Sequence, residues 1–252
     1  MIIFKYQKLN FMKTVLTLLF TTFALCSSYG QLSNSFDVVF GVDQSYRTIN
    51  GDGVRGILNL AEVEEAKSNW RLGVNFRATL TNNTYLKFGA RLSSLGYKVP
   101  DNSMKYRWNY FHEGLQYFDN IDPSQEILTF LVDHRFIELP ISYGIAKSIN
   151  KFSFYAEIGV SSNFYLHTRT EEISGSQSTL TSQVNPSVRH LHLSGIIAVG
   201  AAYEFCEHFS IFAQPSFRHH LTRLAQVGFV NEYLYSYGIE IGLRKFLVGT
   251  QN

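Results

Sequence analysis

Four histidines crowd toward the C-terminus of the chain: His190, His192, His219 and His220. An imidazole beside a hydroxyl or carboxylate is the raw material of nucleophilic catalysis, and Ser194 and Ser216 stand nearby in the sequence. His192 and Ser194, two residues apart, would share one face of an extended segment. No spacing here matches a hydrolase motif, and no compact set of His, Cys, Asp or Glu reads as a metal site. Histidine and serine at a polar rim account for the group without catalysis. The expectation is a chain with no catalytic residues, no metal and no cofactor.

A larger set of residues offers electrostatic pairing instead. Asp37, Asp43, Glu138, Glu157, Glu204 and Glu240, with Arg71, Arg77, Lys87, Arg91, Arg218 and Arg244, are embedded in otherwise apolar segments. Six acids meet six bases, an almost neutral set that can pair and hydrogen-bond if enclosed together.

The elements that must hold these charges follow from period two. Tyr233, Tyr235, Tyr237, Ile239, Ile241 and Leu243 alternate with Leu234, Ser236, Gly238, Glu240, Gly242 and Arg244, so a strand there has one apolar face and one small or charged face. Seven further segments read the same way. They run from Phe36 to Asp43, Trp70 to Leu80, Leu86 to Ser93, Ile137 to Ile145, Phe152 to Ser161, His192 to Phe205, and Phe209 to Arg218. Val39, Tyr155, Ile196, Phe212 and Leu234 are apolar exceptions on the polar face. Pro140 and Pro215 fall inside strands, where a bulge or local widening must accommodate the missing N–H. The connections alternate long and short. The short ones are Thr81-Asn82-Asn83, Ser148 to Lys151 and Cys206 to His208, the pattern of a membrane barrel with short periplasmic turns and longer outer loops.

Lipid fits the apolar face better than an internal ligand does. A lipid-facing Arg or Lys at the bilayer midplane costs roughly 2–4 kcal/mol, so hydrocarbon selects against charge there, whereas water does not. Phe88, Tyr143, Phe152, Phe154, Tyr203, Phe205 and Phe209 gather near the short turns. Tyr46, Trp70, Phe217, Tyr233 and Tyr235 gather near the long loops, giving two aromatic girdles. The first residues support export. Lys5, Lys8 and Lys13 precede the apolar run Val15 to Leu25 and then Ser28-Tyr29-Gly30, the order of a secretory signal peptide over residues 1–30. Met12 is an alternative start. The apolar run is too short for a membrane anchor, which needs about 20 residues. Removing three Lys and no acid from a chain of net charge +2 leaves about −1, with no basic stripe for nucleic acid. Residues 31–252 then form a single barrel domain, and Cys206, alone once Cys26 leaves, has no disulfide partner. The fold class expected is all-β: an eight-stranded antiparallel transmembrane barrel, an up-and-down meander, monomeric, in the bacterial outer membrane.

At Phe136-Ile-Glu-Leu-Pro-Ile-Ser-Tyr143, Phe154-Tyr-Ala-Glu-Ile-Gly-Val160 and Tyr237-Gly-Ile-Glu-Ile-Gly-Leu-Arg244 the chain resembles the PorT-like outer-membrane β-barrel family of Bacteroidetes. The resemblance extends over residues 31–252. Gln31, directly after the expected cleavage site, also fits such leaders. The resemblance implies an eight-stranded outer-membrane barrel, in a family where most members have no assigned activity and a few are associated with protein secretion. The chain departs from it in running on from Leu247 to Asn252, past the usual terminal aromatic, for which Phe246 is the nearest candidate.

Three roles remain to be weighed. Eight strands leave an interior just wide enough for side chains, so Arg77, Arg91, Tyr155, Phe212 and Arg218 would plug a pore. Partners beyond membrane lipid are expected at the outer loops, with envelope or secretion proteins as the class the resemblance implies. Tyr106, Trp108, Tyr110, Phe111, Tyr117 and Phe118 in the longest loop form a candidate interaction surface or a lid over the barrel mouth. Thr170 to Ser187, rich in Ser, Thr and Gln, reads as a mobile loop, and Leu58 to Ser68 as a short helix. The runners-up are a narrow channel and then a lipid-modifying hydrolase.

Overall fold

The computed structural model describes residues 34–50, 64–99, 107–109, 116–118, 128–174, 177–225 and 231–247. The strands, in chain order, are β1 (Asn34–Asn50), β2 (Lys67–Thr79), β3 (Thr84–Val99), β4 (Arg107–Asn109), β5 (Gln116–Phe118), β6 (Leu128–Ile149), β7 (Phe152–Ser174), β8 (Gln177–Gln183), β9 (Leu191–Cys206), β10 (Phe209–His220) and β11 (Asn231–Leu247). Neighbours pair antiparallel in the order β6-β3-β2-β1-β11-β10-β9-β7, and β6 also pairs with β7. The ring therefore closes on eight strands, with every wall strand hydrogen-bonded on both sides. Closure removes the free edges that hydrocarbon cannot tolerate.

The alternation in the sequence sets the two faces. On β1, Phe36, Val38, Phe40 and Val42 are exposed outward while Ser35, Asp37, Val39, Asp43 and Ser45 are buried in the lumen. Between Arg135 and Lys147 the outward face of β6 carries only Ile137, Leu139, Ile141, Tyr143 and Ile145. That stretch covers about 40 Å along the strand at ~3.3 Å per residue, or about 30 Å along the membrane normal at a tilt of ~40°. An apolar band of ~25 Å fits within it. Aromatic contacts ring both borders of the band. Phe76–Phe88 and Phe152–Tyr203 sit at the turn end, with centroids 5.2 and 5.0 Å apart, and Tyr46–Tyr235 and Phe217–Tyr235 at the loop end, at 5.2 and 6.4 Å. This is an outer-membrane β-barrel.

The short turns are tight. Ile149 pairs with Phe152 across Asn150 and Lys151, and Asn150 takes φ +56° to make the reversal. Both prolines are accommodated by widening, without a bulge. The β3–β6 ladder skips Leu139 and Pro140 and resumes in the same register, and the β9–β10 ladder skips Gln214 and Pro215 likewise. The bulges fall elsewhere, between Arg135 and Phe136 opposite Leu166 and between Phe209 and Ser210 opposite Phe205.

Two loop expectations need correction. Thr170 to Ser187 is not a loop for most of its length. β7 runs to Ser174, and β8 folds back on it from Gln177↔Ser174 to Gln183↔Thr168. Alternating Thr, Glu and Ile on β7 against Ser, Thr and Leu on β8 suit a solvated ladder. The described part of Leu58 to Ser68 is not helical either: Glu65 exchanges backbone hydrogen bonds with Lys98, and β2 starts at Lys67. The segments 1–30 and 58–63 lie outside the described residues.

Candidate functional site

The lumen is filled in three layers. Nearest the periplasm, aromatic rings lie over glycines on the adjoining strand. Tyr85 faces Gly144, Tyr155 faces Gly200 and Phe212 faces Gly242, each a direct ladder pair. A Cβ on any of these glycines would come within 2.2 to 2.5 Å of the ring. The absent side chains make the space the rings occupy. Val39 and Ala202 complete this layer, so Val39, Tyr155 and Phe212 are apolar there because they pack on one another. Two guanidinium groups use the rings: Arg77 lies 3.7 Å from the Tyr85 centroid, and Arg244 lies 4.9 Å from that of Phe212. Arg244 also holds Asp37 through Nε and Nη2, at 2.8 and 3.2 Å.

Above them is an ionic belt. Arg71 clasps Asp43 through two nitrogens and donates from Nη1 to Glu240 Oε1 at 2.8 Å. Arg91 Nη1 reaches the same oxygen at 2.6 Å and Arg218 Nη2 at 3.2 Å. One carboxylate oxygen thus receives three guanidinium groups carried by three strands. Arg218 Nη1 holds Glu138 at 2.6 Å, and Ser93 donates to the same carboxylate at 2.6 Å. Lys87 pairs with Glu157, which also accepts from Tyr85 Oη at 2.7 Å and Gln214 Nε2 at 3.0 Å. Arg77 is the least well paired, with Nη2 3.6 Å from Glu157. Charges taken this far from water are tolerable when paired and hydrogen-bonded, a condition that the others meet and Arg77 meets only by its ion pair and its place over the Tyr85 ring.

The third layer, toward the outer loops, is apolar: Leu95, Tyr97, Val99, Phe136, Tyr165, Val188, Leu224 and Leu234. His192 and His220 pack edge-on against Phe136 at 5.6 and 5.7 Å.

The structure brings together every residue of the expected network except Glu204. That side chain is exposed beside the Glu207–His208 turn and makes no ion pair among the described residues. Phe205 bulges opposite Phe209 and Ser210, and β9 ends at Cys206, so Glu204 reaches the periplasmic rim, where water solvates it. The histidines divide. His192 and His220 are buried in the lumen, His219 stacks outside on Tyr233 at 6.2 Å and His190 is exposed. Among the described residues no imidazole hydrogen-bonds Ser194 or Ser216: Ser194 accepts from Asn163, His192 bonds the Arg189 carbonyl at 2.8 Å, and His220, though the ladder partner of Ser194, has no hydrogen-bond partner on either ring nitrogen. Of the loop aromatics, Trp108, Tyr117 and Phe118 lie on the small β4–β5 hairpin, where Trp108 pairs with Tyr117. Tyr106, Tyr110 and Phe111 lie outside the described residues.

Two clusters went unread in the sequence. At the outer end of the barrel Arg47 contacts Glu64 and Glu232 and lies 3.9 Å from the Tyr97 ring centroid. Burial raises the Glu64 carboxyl above the usual range, even beside Arg47. On the outer wall Asp133 holds both Lys67 and Arg135, at 3.1 and 2.8 Å. The signal was available in both: Arg47 and Asp133 continue the period-two pattern past the apolar segments.

No family model matches the chain, and no curated protein does. Among solved structures it is similar to Neisserial surface protein A, at 10% identity and TM-score 0.37, over 82% of this chain and 96% of that one. It is similar to OprG of Pseudomonas aeruginosa at 14% identity and TM-score 0.36, over 86% and 98%. It is also similar to the outer membrane protease OmpT of Escherichia coli at 8% identity and TM-score 0.42, over 85% and 97%. It is the closed ladder and its apolar exterior that make this chain a membrane barrel, and likeness at this identity adds nothing on activity.

Proposed function

We propose that the protein is a non-enzymatic, monomeric outer-membrane barrel with a closed lumen, whose role is structural or interaction-based and is exerted through its outer end. The observation that carries this reading is the convergence of Arg71, Arg91 and Arg218 on Glu240 Oε1 beneath a layer of apolar side chains. A solute path through the lumen would have to break both. The resemblance to PorT-like barrels supports a place in envelope protein secretion or assembly, with partners reached through the loops. The test is conductance of the purified protein in planar bilayers. The expected result is no stable open state, while the Glu240→Ala barrel gives brief openings. A wild-type open state of large, lasting conductance overturns the closed-lumen reading.

A narrow channel is the second reading, favoured by one observation. Arg77 Nε and Nη2, Asn75 Nδ2 and Arg218 Nε are buried with no hydrogen-bond partner, which suits lumen sites occupied by water. Small, steady, ion-selective currents in the same recordings would favour it.

A further inference from the structure

On one sector of the wall the apolar exterior stops abruptly. Going outward on β2, Leu72 gives way to Trp70; on β3, Leu92 to Ser94; on β6, Ile137 to Arg135; on β7, Leu166 to His167 and Arg169. The β2–β3 ladder ends at the same height, with Arg71↔Ser93 its last pair. Backbone pairing with β3 resumes just ahead of β2, where Glu65 bridges to Lys98. Between those points the Ser94 hydroxyl stands in for a ladder carbonyl, accepting from Trp70 N at 3.2 Å. The separation opens a cleft of about 450 Å³ on the outer wall, lined by Lys67, Trp70, Lys98, Asp133, Arg135 and Arg169 among others.

The cleft is positively charged. Lys67, Lys98, Arg135 and Arg169 face it with Asp133 and Glu171 as the anions. Asp133 is shared by Lys67 and Arg135 and so neutralises only one of them. Lys98 is turned toward Glu65 at 2.6 Å, and Glu171 accepts from Ser178 Oγ at 2.8 Å. The Arg169 backbone sits in the ladders to β6 and β8, and its side chain makes no hydrogen bond or ion pair among the described residues. The Arg135 guanidinium lies 5.1 Å from the Trp70 ring. The cationic end therefore rests on an aromatic residue of the outer girdle, and below that residue the wall is bare hydrocarbon-facing Leu72, Leu92 and Ile137.

We propose that this cleft binds the phosphate of an outer-leaflet lipid headgroup, with the acyl chains descending over Trp70, Leu72 and Leu92. Guanidinium groups match phosphate oxygens in pairs, and the Arg169 guanidinium together with that of Arg135, whose Asp133 is shared with Lys67, supplies such a clamp. The occupant is a lipid because the cations sit directly above the apolar band. A bound phosphate there has its own chains beside an apolar wall, which a soluble phosphate or sulfated glycan lacks.

The test uses the full-length protein with Trp108→Phe, which leaves Trp70 as the one indole, in phosphatidylcholine vesicles. Phosphatidic acid brominated near the headgroup end of its chains is compared with phosphatidylcholine brominated at the same carbons, at equal mole fractions. Phosphatidic acid is expected to quench Trp70 at a mole fraction roughly fivefold lower, the factor one cation contributes near an anionic lipid. Arg135→Gln with Arg169→Gln should abolish the preference, while heat-modifiable gel migration shows the barrel still folded. Equal quenching by both lipids in the parent protein overturns the proposal, as does a preference that survives the double substitution. Release of phosphatidic acid by millimolar inorganic phosphate or a sulfated glycan overturns the lipid assignment, leaving a soluble anion as the occupant.

Discussion

Strands β3 and β6 each pass through two solvents, and their inside and outside exchange character between them. In the bilayer, β3 turns Lys87, Arg91 and Ser93 into the lumen and Phe88, Ala90 and Leu92 outward. Beyond it the same parity turns Leu95, Tyr97 and Val99 inward and Ser94 and Lys98 outward. On β6 the lumen side passes from Glu138 to Phe136, and the outer side from Ile137 to Arg135. The lower part of the barrel is a membrane protein with a polar core. The upper part has the apolar core and charged surface of a water-soluble β-sheet. The β3–β6 ladder keeps one register through the change, from Arg91↔Glu138 to Val99↔Phe130, although β3 parts from β2 there and β7 bulges against β6, so these two strands hold together while their side chains change.

The lower core is the more vulnerable, and breaking it gives the largest expected effect. Glu240→Ala leaves Arg71, Arg91 and Arg218 facing one another without the shared carboxylate. Removing one partner from a buried ionic set costs about 3–5 kcal/mol. The midpoint of urea unfolding from lipid vesicles should fall accordingly. Glu240→Gln, which keeps an acceptor oxygen, should fall less. If both variants unfold with the parent, the belt does not hold the barrel together.

The lipid face comes next. Ile141 stands midway between Arg135 and Lys147 on the outward side of β6 and is 53% exposed, an exposure that in this zone means contact with hydrocarbon. Ile141→Arg should cost roughly 2–4 kcal/mol, the midplane value for a cation. An unchanged unfolding midpoint would place Ile141 out of the hydrocarbon and move the whole band.

The exchange of character also explains what could and could not be read in the sequence. The eight wall strands were legible because alternating Phe, Val and Ile with charged or small residues survives any context. The ionic network was legible for the same reason: once the faces are known, Arg71, Glu138 and Glu240 have nowhere to point but inward. Strand ends were not. Pattern reading stops β3 at Ser93 and starts β6 at Ile137, where the polarity reverses, although the ladder continues to Val99 and from Leu128. Leu234 looks like an error on a polar face, yet it is fully buried in the outer core because it lies above the reversal. Tyr155 and Phe212 depend on glycines of neighbouring strands, information that no single segment carries. Glu204 failed through position along the axis: face assignment gives direction but not depth, and a lumen-side residue at the rim meets water.

The smallest effect is the sharpest test of where one solvent ends. Leu180 on β8 is 52% exposed, almost the same fraction as Ile141. By exposure alone the two positions are equivalent, and both are apolar residues on antiparallel strands. They differ in what they are exposed to: β8 pairs with the part of β7 beyond His167, above the charge border marked by Arg135 and Arg169. Leu180→Lys therefore puts a cation into water, where surface substitutions stay within about 0.5 kcal/mol. Its unfolding midpoint should match that of the parent. A loss as large as that of Ile141→Arg would mean that hydrocarbon reaches β8, and the division between a membrane-adapted lower barrel and a water-adapted upper one would have to be redrawn.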